Sequence, residues 1–376
     1  MALDYIIPEF DVVRNDARCT RCRICETQCA NGVHTYNADG KVMVSDESKC
    51  VNCQRCVSFC PTHALKIVKN ENCLRENANW SCATVKEIYK QASTGGVLLS
   101  SMGNPQPLPV YWDRLLINAS QVTNPPIDPL REPMETRVFL GKKPSTIRRN
   151  ADGTLCPDLP PQLELSVPIL FSAMSYGSIS YNAHAALARA AQELGICYNT
   201  GEGGLHRDFY PYGTNTIVQV ASGRFGVEEK YLNTGAAIEI KMGQGAKPGI
   251  GGHLPGAKIV GDVSKTRMIP EGADACYIAT AALLAMGCHL CRSCQTGRCC
   301  WGIATQRPDL VKRLDPQQSA ERLVNLVTAW KHEIKEMMGG MGINSIEALR
   351  GNRVMLRGIH LTDKELEILG VAHAGE

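Results

Sequence analysis

The sequence predicts an α/β protein built on a parallel sheet or barrel, with a small cysteine-rich domain in front of it. From residue 165 onward, strand-like apolar runs alternate with helical stretches, which is the pattern of parallel α/β folds. Before them, 12 of the 20 prolines lie between Pro105 and Pro168, where neither long helices nor central strands can form. The predicted divisions are a cysteine-rich domain (1–75), a connecting segment (76–164) and the α/β part (165–376).

The α/β part begins with a strand and a helix. The run "VPILFSAMS" predicts a buried strand, and "YNAHAALARAAQELG" predicts a helix that ends at Gly195. Four more runs predict strands that precede glycine-rich or polar loops: "ICYN", "IVQVA", "IEIKM" and "ACYIA". The run "PQQSAERLVNLVTAWKHEIKEMMGGMG" predicts a long amphipathic helix that ends at Gly339 and Gly340. This gives about five strands before Cys288, whereas a complete (β/α)8 barrel needs eight strands and about 250 residues.

The composition narrows the class of protein. The chain has 376 residues, a formal charge of +3, 44% hydrophobic and 20% charged residues, which is typical of a globular protein with no basic surplus for coating nucleic acid. The N-terminus does not resemble a secretory signal, and the longest apolar run, 275–288, is shorter than the ~20 residues that cross a bilayer. We therefore expect a cytoplasmic protein without a membrane span, in which 18 cysteines point to metal ligands rather than disulfides. Six of them are expected to be ordinary core residues or unpaired thiols instead: Cys73, Cys82, Cys156, Cys197, Cys276 and Cys300.

Two cysteine runs in the first 75 residues share one spacing. The pattern Cys-x2-Cys-x2-Cys-x3-Cys occurs twice, and proline follows the second run. This duplication is typical of bacterial ferredoxins with two [4Fe-4S] clusters, in which the fourth cysteine of each run binds the cluster of the other run. The predicted ligand sets are Cys19, Cys22, Cys25 and Cys60 for one cluster, and Cys50, Cys53, Cys56 and Cys29 for the other. Two zinc knuckles are the alternative, which the doubled fourth cysteine disfavours.

A third cysteine group lies in "GCHLCRSCQTGRCC", residues 287–300. Cys288, Cys294 and Cys299 could bind three irons of a cluster, and Cys291 could supply a fourth thiolate. A zinc site made of four cysteines uses the same residue types, so the spacing alone leaves both interpretations open. The two clusters predicted for the same chain favour iron and sulfur, because three clusters would form an electron path.

Glycine-rich loops follow three of the predicted strands: "TGEGG", "ASGRFG" and "KMGQGAKPGIGGHLPG". Glycines at the carboxyl ends of strands let backbone amides approach a flat or anionic ligand, although plain connecting loops are the alternative. We find no dinucleotide fingerprint in the sequence, so we expect electrons to arrive from another protein. Lys241, at a strand end, could lie beside a flavin ring, and Arg224, Lys247 and Arg267 could pair with substrate carboxylates; taken singly, such residues are more often solvated.

Several longer stretches together resemble one family. These are "FSAMSYGSIS", "YNTGEGG", "VQVASGRFGV", "EIKMGQGAKPGIGGHLPGAK" and "LLAMGCHLCRSCQTGRCCWGIATQ". They are similar to the flavin domain of glutamate synthases, and with the two-cluster domain in front the chain resembles archaeal-type glutamate synthases from end to end. The resemblance implies a (β/α)8 barrel that holds FMN, in which ammonia and 2-oxoglutarate form 2-iminoglutarate and a hydride converts it to glutamate.

The resemblance also implies roles for individual residues. Those that match 2-oxoglutarate contacts are Ser222, Lys241 and Arg267, with Lys247 as a second basic residue of the same loop. Those that match flavin contacts are Ala173, Met174 and Ser175, together with Lys241. Those that match the ligands of a [3Fe-4S] cluster are Cys288, Cys294 and Cys299, and Cys291 makes a [4Fe-4S] cluster an alternative.

Some positions depart from the family pattern. Ile250 and His253 stand where glutamate synthases commonly have Glu and Gln, so a related flavoprotein that acts on another substrate is an alternative. Met1 and Ala2 offer no cysteine nucleophile. We therefore expect glutamine hydrolysis to need a separate glutaminase (amidotransferase) subunit, and electrons to come from an NADPH-oxidising partner or a ferredoxin.

The largest departure is a gap in the barrel. After "SKTRMIPEGADA", residues 264–275, the family continues through several more β/α units before it reaches text like "GADACYIATAALLAMGC", whereas in this chain the two stretches are merged. We therefore expect an incomplete barrel with exposed strand edges and fewer amides for the FMN phosphate. An iron–sulfur electron-transfer protein with an inactive, shortened barrel is the alternative to the enzyme. A second chain that covers the edges would preserve the enzyme.

Overall fold

The computed structural model describes residues 7–70, 80–96, 111–141, 146, 148–156, 161–242 and 275–375. The chain divides into two units, Met1–Tyr89 with His289–Cys291, and Lys90–Cys288 with Arg292–Glu376. Among the described helices, none combines the length and the apolar character that a membrane crossing requires.

The first unit consists of two halves that repeat each other. Cys19 of the first half corresponds to Cys50 of the second, a shift of 31 residues. The elements are β1 (Phe10–Arg14), α1 (Ile24–Gln28), β2 (His34–Asn37), β3 (Val42–Ser45), α2 (Arg55–Ser58) and β4 (Leu65–Lys69). β1 pairs antiparallel with β4, and β2 pairs antiparallel with β3. Each short helix carries the third cysteine of its run.

The hydrophobic core of this unit is small and includes sulfur. Its buried members are Val12, Cys25, Val33, Met43, Cys56 and Leu65, against which Cys19, Cys29 and Cys50 pack. A core of this size does not normally hold a domain together without a metal or another cross-link. The fold therefore depends on what the cysteines bind.

A five-stranded parallel sheet forms the centre of the second unit. Its strands are β8 (Ile169–Phe171), β9 (Tyr198–Asn199), β10 (Thr216–Val220), β11 (Ala237–Ile240) and β12 (Cys276–Ile278). They lie in the order β11-β10-β9-β8-β12, and every neighbouring pair is parallel. All five predicted strands are therefore confirmed, and the last one along the chain pairs with the first.

Two helices cover this sheet region. α4 (Tyr181–Leu194) begins at Ser180, whose hydroxyl accepts a hydrogen bond from the Ala183 amide, and ends at Gly195 in the left-handed conformation, as predicted. α4 packs along α8 (Pro316–Met341). The predicted end of α8 at Gly339 and Gly340 is wrong, because the helix continues to Met341 and Gly342 caps it. Gly339 instead allows close packing, since a Cβ there would collide with the Ile127 carbonyl oxygen.

The remaining elements lie around this centre or join it to the rest of the chain. The helices are α3 (Cys82–Thr94), α5 (Glu229–Thr234), α6 (Thr280–Ala285), α7 (Pro308–Val311) and α9 (Asp363–Leu369). The strands are β5 (Leu115–Ile117), β6 (Val138–Leu140), β7 (Leu163–Leu165), β13 (Leu356–Gly358) and β14 (Ala372–His373). Cys82 of α3 is disulfide-bonded, which departs from the expectation that the cysteines stay out of disulfides.

Candidate metal centres and flavin site

The first unit contains two cavities that are lined mainly by its cysteine loops. The cysteines around the first are Cys19, Cys22, Cys25 and Cys60, and those around the second are Cys29, Cys50, Cys53 and Cys56. Each cavity thus gathers one of the predicted ligand sets, with the fourth cysteine crossing from the other run. Within the described part of the chain, no group of three His, Cys, Asp or Glu side chains is arranged to hold a single metal ion. Four thiol donors around one cavity are the residue types that an iron–sulfur cluster requires.

Backbone amides point at the fourth cysteine of each run. The Val33 N–H donates to Cys29 Sγ at 3.4 Å, and the Ala64 N–H donates to Cys60 Sγ at 3.2 Å. Positions 33 and 64 are again 31 residues apart, so the contact is part of the repeat. Burial raises the pKa of the Cys60 thiol, but the amide donors outweigh it and hold that pKa below its usual value. Burial, with smaller contributions from neighbouring thiols, raises the pKa of Cys56 to about 11.

The second cysteine of each run lies between two residues with a left-handed backbone conformation. The residues on either side of Cys22, Cys53 and Cys291 have positive φ: Arg21 and Arg23, Asn52 and Gln54, and Leu290 and Arg292. Non-glycine residues rarely adopt this conformation. The segment 288–294 therefore repeats both the Cys-x2-Cys-x2-Cys spacing and the backbone of the first two runs.

A guanidinium lies beside one of the two cavities. Arg14 Nη1 is 3.9 Å from Cys19 Sγ and 3.7 Å from Cys25 Sγ, and Arg14 Nη2 is 3.2 Å from both His34 Nδ1 and Ser45 Oγ. Burial and the Arg14 charge lower the pKa of His34, so His34 is neutral and can accept from Arg14. The corresponding position in the other half is Ser45. The first pocket therefore has a fixed positive charge beside two of its cysteines, whereas Ser45, the equivalent of Arg14 in the other half, is uncharged.

In the second unit, loops at the carboxyl ends of the parallel strands pack on one another through glycine. Gly201 has a φ of +66°, and a Cβ there would lie 2.6 Å from the Ser175 nitrogen. A Cβ on Gly226 would lie 2.8 Å from Gly204 Cα. The loops after β8, β9 and β10 are thus in direct contact. This is the edge at which α/β sheets bind ligands.

The structure places most of the predicted flavin and substrate residues at this edge. Met174 is buried, Ala173 is exposed and Ser175 is half-buried, all in the loop after β8. Ser222 is exposed in the loop after β10. Lys241 directly follows β11, and its Nζ lies 3.2 Å from Glu202 Oε1 of the loop after β9, with 20% and 13% of these side chains exposed.

Arg224 is also exposed in the loop after β10, and the remaining predicted residues of this site lie outside the described part of the chain. They are Lys247 and Arg267, together with the two positions of unusual residue type, Ile250 and His253.

Several polar residues near this edge were missed by the sequence reasoning. Glu202 pairs with Lys241, and the one acid in "TGEGG" was the available signal for it. Glu239 precedes Lys241 by two residues, so it shares its face of β11, and it accepts hydrogen bonds from Gln219 and from the Tyr277 hydroxyl. His184, fully buried in α4, lies 2.6 Å from the Met174 carbonyl oxygen through its Nε2. Burial lowers the pKa of His184, so it is neutral and its Nε2–H donates.

The segment that follows the third cysteine group contacts the loop after β8. Cys288 follows α6, Cys294 is exposed and Cys299 is buried. Just beyond Cys299, the Ile303 carbonyl accepts from the Ser180 amide at 2.6 Å, and the Gln306 amide donates to the Ile179 carbonyl at 2.8 Å. The segment after the cysteines is therefore tied to the loop that carries the candidate flavin contacts.

Two cysteine quartets, each lining one cavity, followed by a parallel α/β sheet with glycine-packed loops, are the features of an iron–sulfur oxidoreductase of the α/β class. The model of the conserved region in glutamate synthase matches residues 106–276 and 271–344, and that of the 4Fe-4S dicluster domain matches residues 18–65. The chain belongs to the glutamate synthase family.

Full-length relatives agree with this assignment. The archaeal glutamate synthase (NADPH) of Archaeoglobus fulgidus is 42% identical over 502 positions, covering 99% of this chain and 98% of the relative. The archaeal-type glutamate synthase (NADPH) of Thermotoga maritima is 41% identical over 505 positions, and the archaeal enzyme of Methanocaldococcus jannaschii 39% over 512, each covering both chains completely. The predicted resemblance is confirmed. The family implies a TIM-barrel-type flavin fold, FMN and iron–sulfur clusters, and the chain is a glutamate synthase-type oxidoreductase.

Proposed function

We propose that this chain carries out the reductive amination of 2-oxoglutarate to glutamate, with electrons that enter through its N-terminal clusters. The observation that carries the proposal is the juxtaposition at one sheet edge of Lys241, Glu202 and the loops that hold Met174, Ser175 and Ser222. FMN, when bound, would supply the hydride that reduces 2-iminoglutarate, and the clusters would supply the electrons.

The chain's own residues bind and orient the substrate in this proposal. Lys241 Nζ pairs with Glu202 in the structure, so a substrate carboxylate would replace an internal ion pair rather than meet a bare charge. Ser222, exposed in the neighbouring loop, would donate to the same carboxylate. Lys247 and Arg267 are proposed as further cationic contacts because their sequence motifs match those of the family.

For the clusters, we propose the two crossed cysteine quartets of the first unit as [4Fe-4S] ligands. The two cavities and the amide donors to Cys29 and Cys60 support this assignment. We propose Cys288, Cys294 and Cys299 as ligands of a third cluster. Cys291, with the same flanking backbone as Cys22 and Cys53, favours a fourth ligand and hence a [4Fe-4S] rather than a [3Fe-4S] centre.

We further propose that the barrel lacks three central β/α units. The alignment with the Archaeoglobus fulgidus relative spans 502 positions, whereas this chain has 376 residues, so at least 126 of those positions have no residue here. The two segments that match the conserved region overlap at residues 271–276, where the merged stretches were noted. At about 30 residues per unit, this gap is long enough for the three units by which the five strands of the sheet fall short of eight.

The sheet order agrees with this location of the gap. β12 pairs with β8, as the last strand of a barrel pairs with the first. Counted along the chain from β8, β11 is the fourth strand of the sheet. Among the described residues, the sheet therefore ends at β11 on one side and at β12 on the other. On the outer face of β11, three apolar side chains are largely exposed. The exposed fractions are 53% for Ile238, 74% for Ile240 and 95% for Met242. In a complete barrel such a face would be covered by the next helices.

The same observations favour a second candidate function. If the shortened sheet does not retain FMN, the chain is an iron–sulfur electron-transfer protein whose α/β unit is inactive.

The proposed partners of the enzyme are a glutaminase subunit that supplies ammonia and an NADPH-oxidising or ferredoxin-type electron donor.

The test is the FMN content of the chain purified without oxygen, followed by glutamate formation from 2-oxoglutarate and ammonia with reduced methyl viologen. About one FMN per chain and glutamate formation are expected. Lys241→Gln should abolish most of that activity while FMN is retained, and the exposed Lys312→Gln serves as the matched control. A chain with full iron content but no flavin would refute the enzyme and establish the electron-transfer protein.

A further inference from the structure

The two cluster loops of the first unit differ in charge, although they share spacing and backbone. Residues 14–26 contain four arginines, at positions 14, 18, 21 and 23, against two acids, Asp16 and Glu26. The corresponding residues 45–57 contain two basic residues, Lys49 and Arg55, against two acids, Asp46 and Glu47. The first segment is therefore positive by two charges and the second is neutral.

The extra charge of the first loop faces the solvent. Arg18 and Arg21 are exposed, and neither forms an ion pair within the residues that the structure describes. Arg23 is exposed as well and pairs with Glu26 at 2.6 Å. Cys22, which lies between two of these arginines, is an exposed cysteine on the rim of the first cavity. A cluster held there would have its outer edge within a ring of cations.

The second loop presents different chemistry at the same positions. Asn52 and Gln54 replace Arg21 and Arg23 with the same left-handed backbone, φ +54° and +60° against +58° and +62°. Val51 and Phe59 beside them are 62% and 51% exposed. This surface is neutral and partly apolar, so it lacks the long-range attraction that the first loop offers to an anion.

We infer that the loop formed by residues 18–23 is the docking surface for an acidic one-electron carrier protein, which reduces the cluster held by Cys19, Cys22, Cys25 and Cys60. This inference rests on the cluster assignment of the proposed function and adds the point at which electrons enter. Exposed charges of one sign accelerate diffusional encounter with a partner of opposite sign. Each encounter moves one electron from the reduced carrier to the cluster, with no bond made and no proton transferred.

Arg14 supports the same direction of transfer. Its guanidinium lies 3.7–3.9 Å from two sulfurs of this quartet, and a fixed cation stabilises the added negative charge of a reduced cluster. Arg14 therefore favours reduction of the cluster at the cationic surface. The neutral loop of the second half lacks the charges that would attract an acidic partner from a distance.

The test measures electron transfer into the clusters by rapid mixing with an acidic flavodoxin in its hydroquinone form, whose semiquinone absorbs apart from the clusters. Two variants are compared, Arg18→Gln/Arg21→Gln and Asn52→Asp/Gln54→Glu, each of which lowers the net charge by two. At low ionic strength the first should slow the second-order rate about tenfold, and the second should change it less than about twofold. High salt, about 0.5 M, should remove the difference because it screens exposed charges.

A charge-retaining variant separates docking from folding. Arg18→Lys/Arg21→Lys should keep the wild-type rate, with iron content and cluster absorption confirming that each variant is loaded. Equal rates for the two charge-lowering variants, or an unchanged rate for the Arg18→Gln/Arg21→Gln variant, would overturn the inference and leave the partner as one that docks without charge. The readout requires neither FMN nor glutamate formation. If the clusters of a chain without flavin are still reduced at a rate that depends on Arg18 and Arg21, the docking surface is supported even though the enzyme is refuted.

Discussion

The Tyr277 hydroxyl donates a 2.7 Å hydrogen bond to Glu239, although the two residues lie on opposite edge strands of the central sheet, β12 and β11. Four strand spacings would separate these edges by about 19 Å in a flat sheet, which is farther than the two side chains can reach. The five strands therefore curve into an arc that brings its two edges toward each other. Burial, followed by the hydrogen bond to Glu239, raises the pKa of Tyr277, so its hydroxyl stays protonated and donates.

We predict that Tyr277→Phe destabilises the second unit by about 1 kcal/mol, the usual net value of one hydrogen bond. The variant leaves Glu239 with the Gln219 amide as its remaining described partner. Urea unfolding measures the change. Tyr210→Phe is the matched control, because its hydroxyl donates to Glu228 over a longer distance, 3.3 Å, and does not join the two edge strands, so its loss should cost less. Equal effects of the two substitutions would mean that the hydrogen bond between the edges does not hold the arc.

Gly201→Ala tests the contact between the loops after β8 and β9. The added methyl would lie 2.6 Å from the Ser175 nitrogen and 2.9 Å from Ser175 Cα, both backbone atoms that cannot swing aside. We expect a loss of about 2 kcal/mol or more in unfolding free energy, together with loss of FMN as the Met174–Ser175 loop moves. Gly177→Ala is the control in the same loop: its φ is +106°, but nothing lies within 4 Å. It should show backbone strain without loss of flavin.

The buried His184 makes the stability of the second unit depend on pH. Burial lowers its pKa in the folded chain, whereas the unfolded chain takes up a proton near the ordinary value of about 6.5. Above that pH the two states bind equal numbers of protons at this site. As the pH falls below about 6.5, the free energy of unfolding decreases by up to about 1.4 kcal/mol per pH unit, until the pKa of His184 in the folded chain is reached.

Urea unfolding between pH 7.5 and 5.5, followed by tryptophan fluorescence, measures this loss. His184→Gln should flatten the dependence, and substitution of the exposed His360 by Gln should leave it unchanged. A wild-type profile that is flat over this range would show that His184 is not held neutral by the fold.

The sequence predicted the site best where the chemistry is local. Spacing alone predicted the two cysteine quartets that line the two cavities, because three cysteines of each quartet lie within one short loop. The five parallel strands were also predictable, since each is a continuous apolar run. Glu239 and Tyr277 were not, because 38 residues separate them and their contact depends on sheet curvature. The end of α8 was predicted wrongly for a similar reason. Gly339 is needed where the helix packs closely against the Ile127 carbonyl, and rules for helix ends do not consider contacts with distant residues.

Arg14→Gln is predicted to lower the reduction potential of the cluster held by Cys19, Cys22, Cys25 and Cys60 by some tens of millivolts, because it removes a cation from beside two of the ligand sulfurs. The other cluster should shift much less. A redox titration followed by electron paramagnetic resonance resolves the two. Arg55→Gln provides the control in the second half, since its guanidinium donates to Gln28 and lies over the Phe59 ring. Parallel shifts of both clusters in Arg14→Gln would contradict a local effect of the charge.

The third cysteine group provides the remaining prediction. Cys288, Cys291 and Cys294 repeat the Cys-x2-Cys-x2-Cys spacing, and the residues beside Cys291 share the left-handed backbone found beside Cys22 and Cys53. We therefore expect a four-iron centre that uses Cys291. The oxidised wild-type chain should lack the paramagnetic signal of a [3Fe-4S] cluster, and Cys291→Ala should generate it with about one iron fewer per chain. Cys300→Ala, at an exposed cysteine outside the spacing, should leave the spectrum unchanged. A three-iron signal already present in the wild type, and unaffected by Cys291→Ala, would assign the centre to Cys288, Cys294 and Cys299 alone.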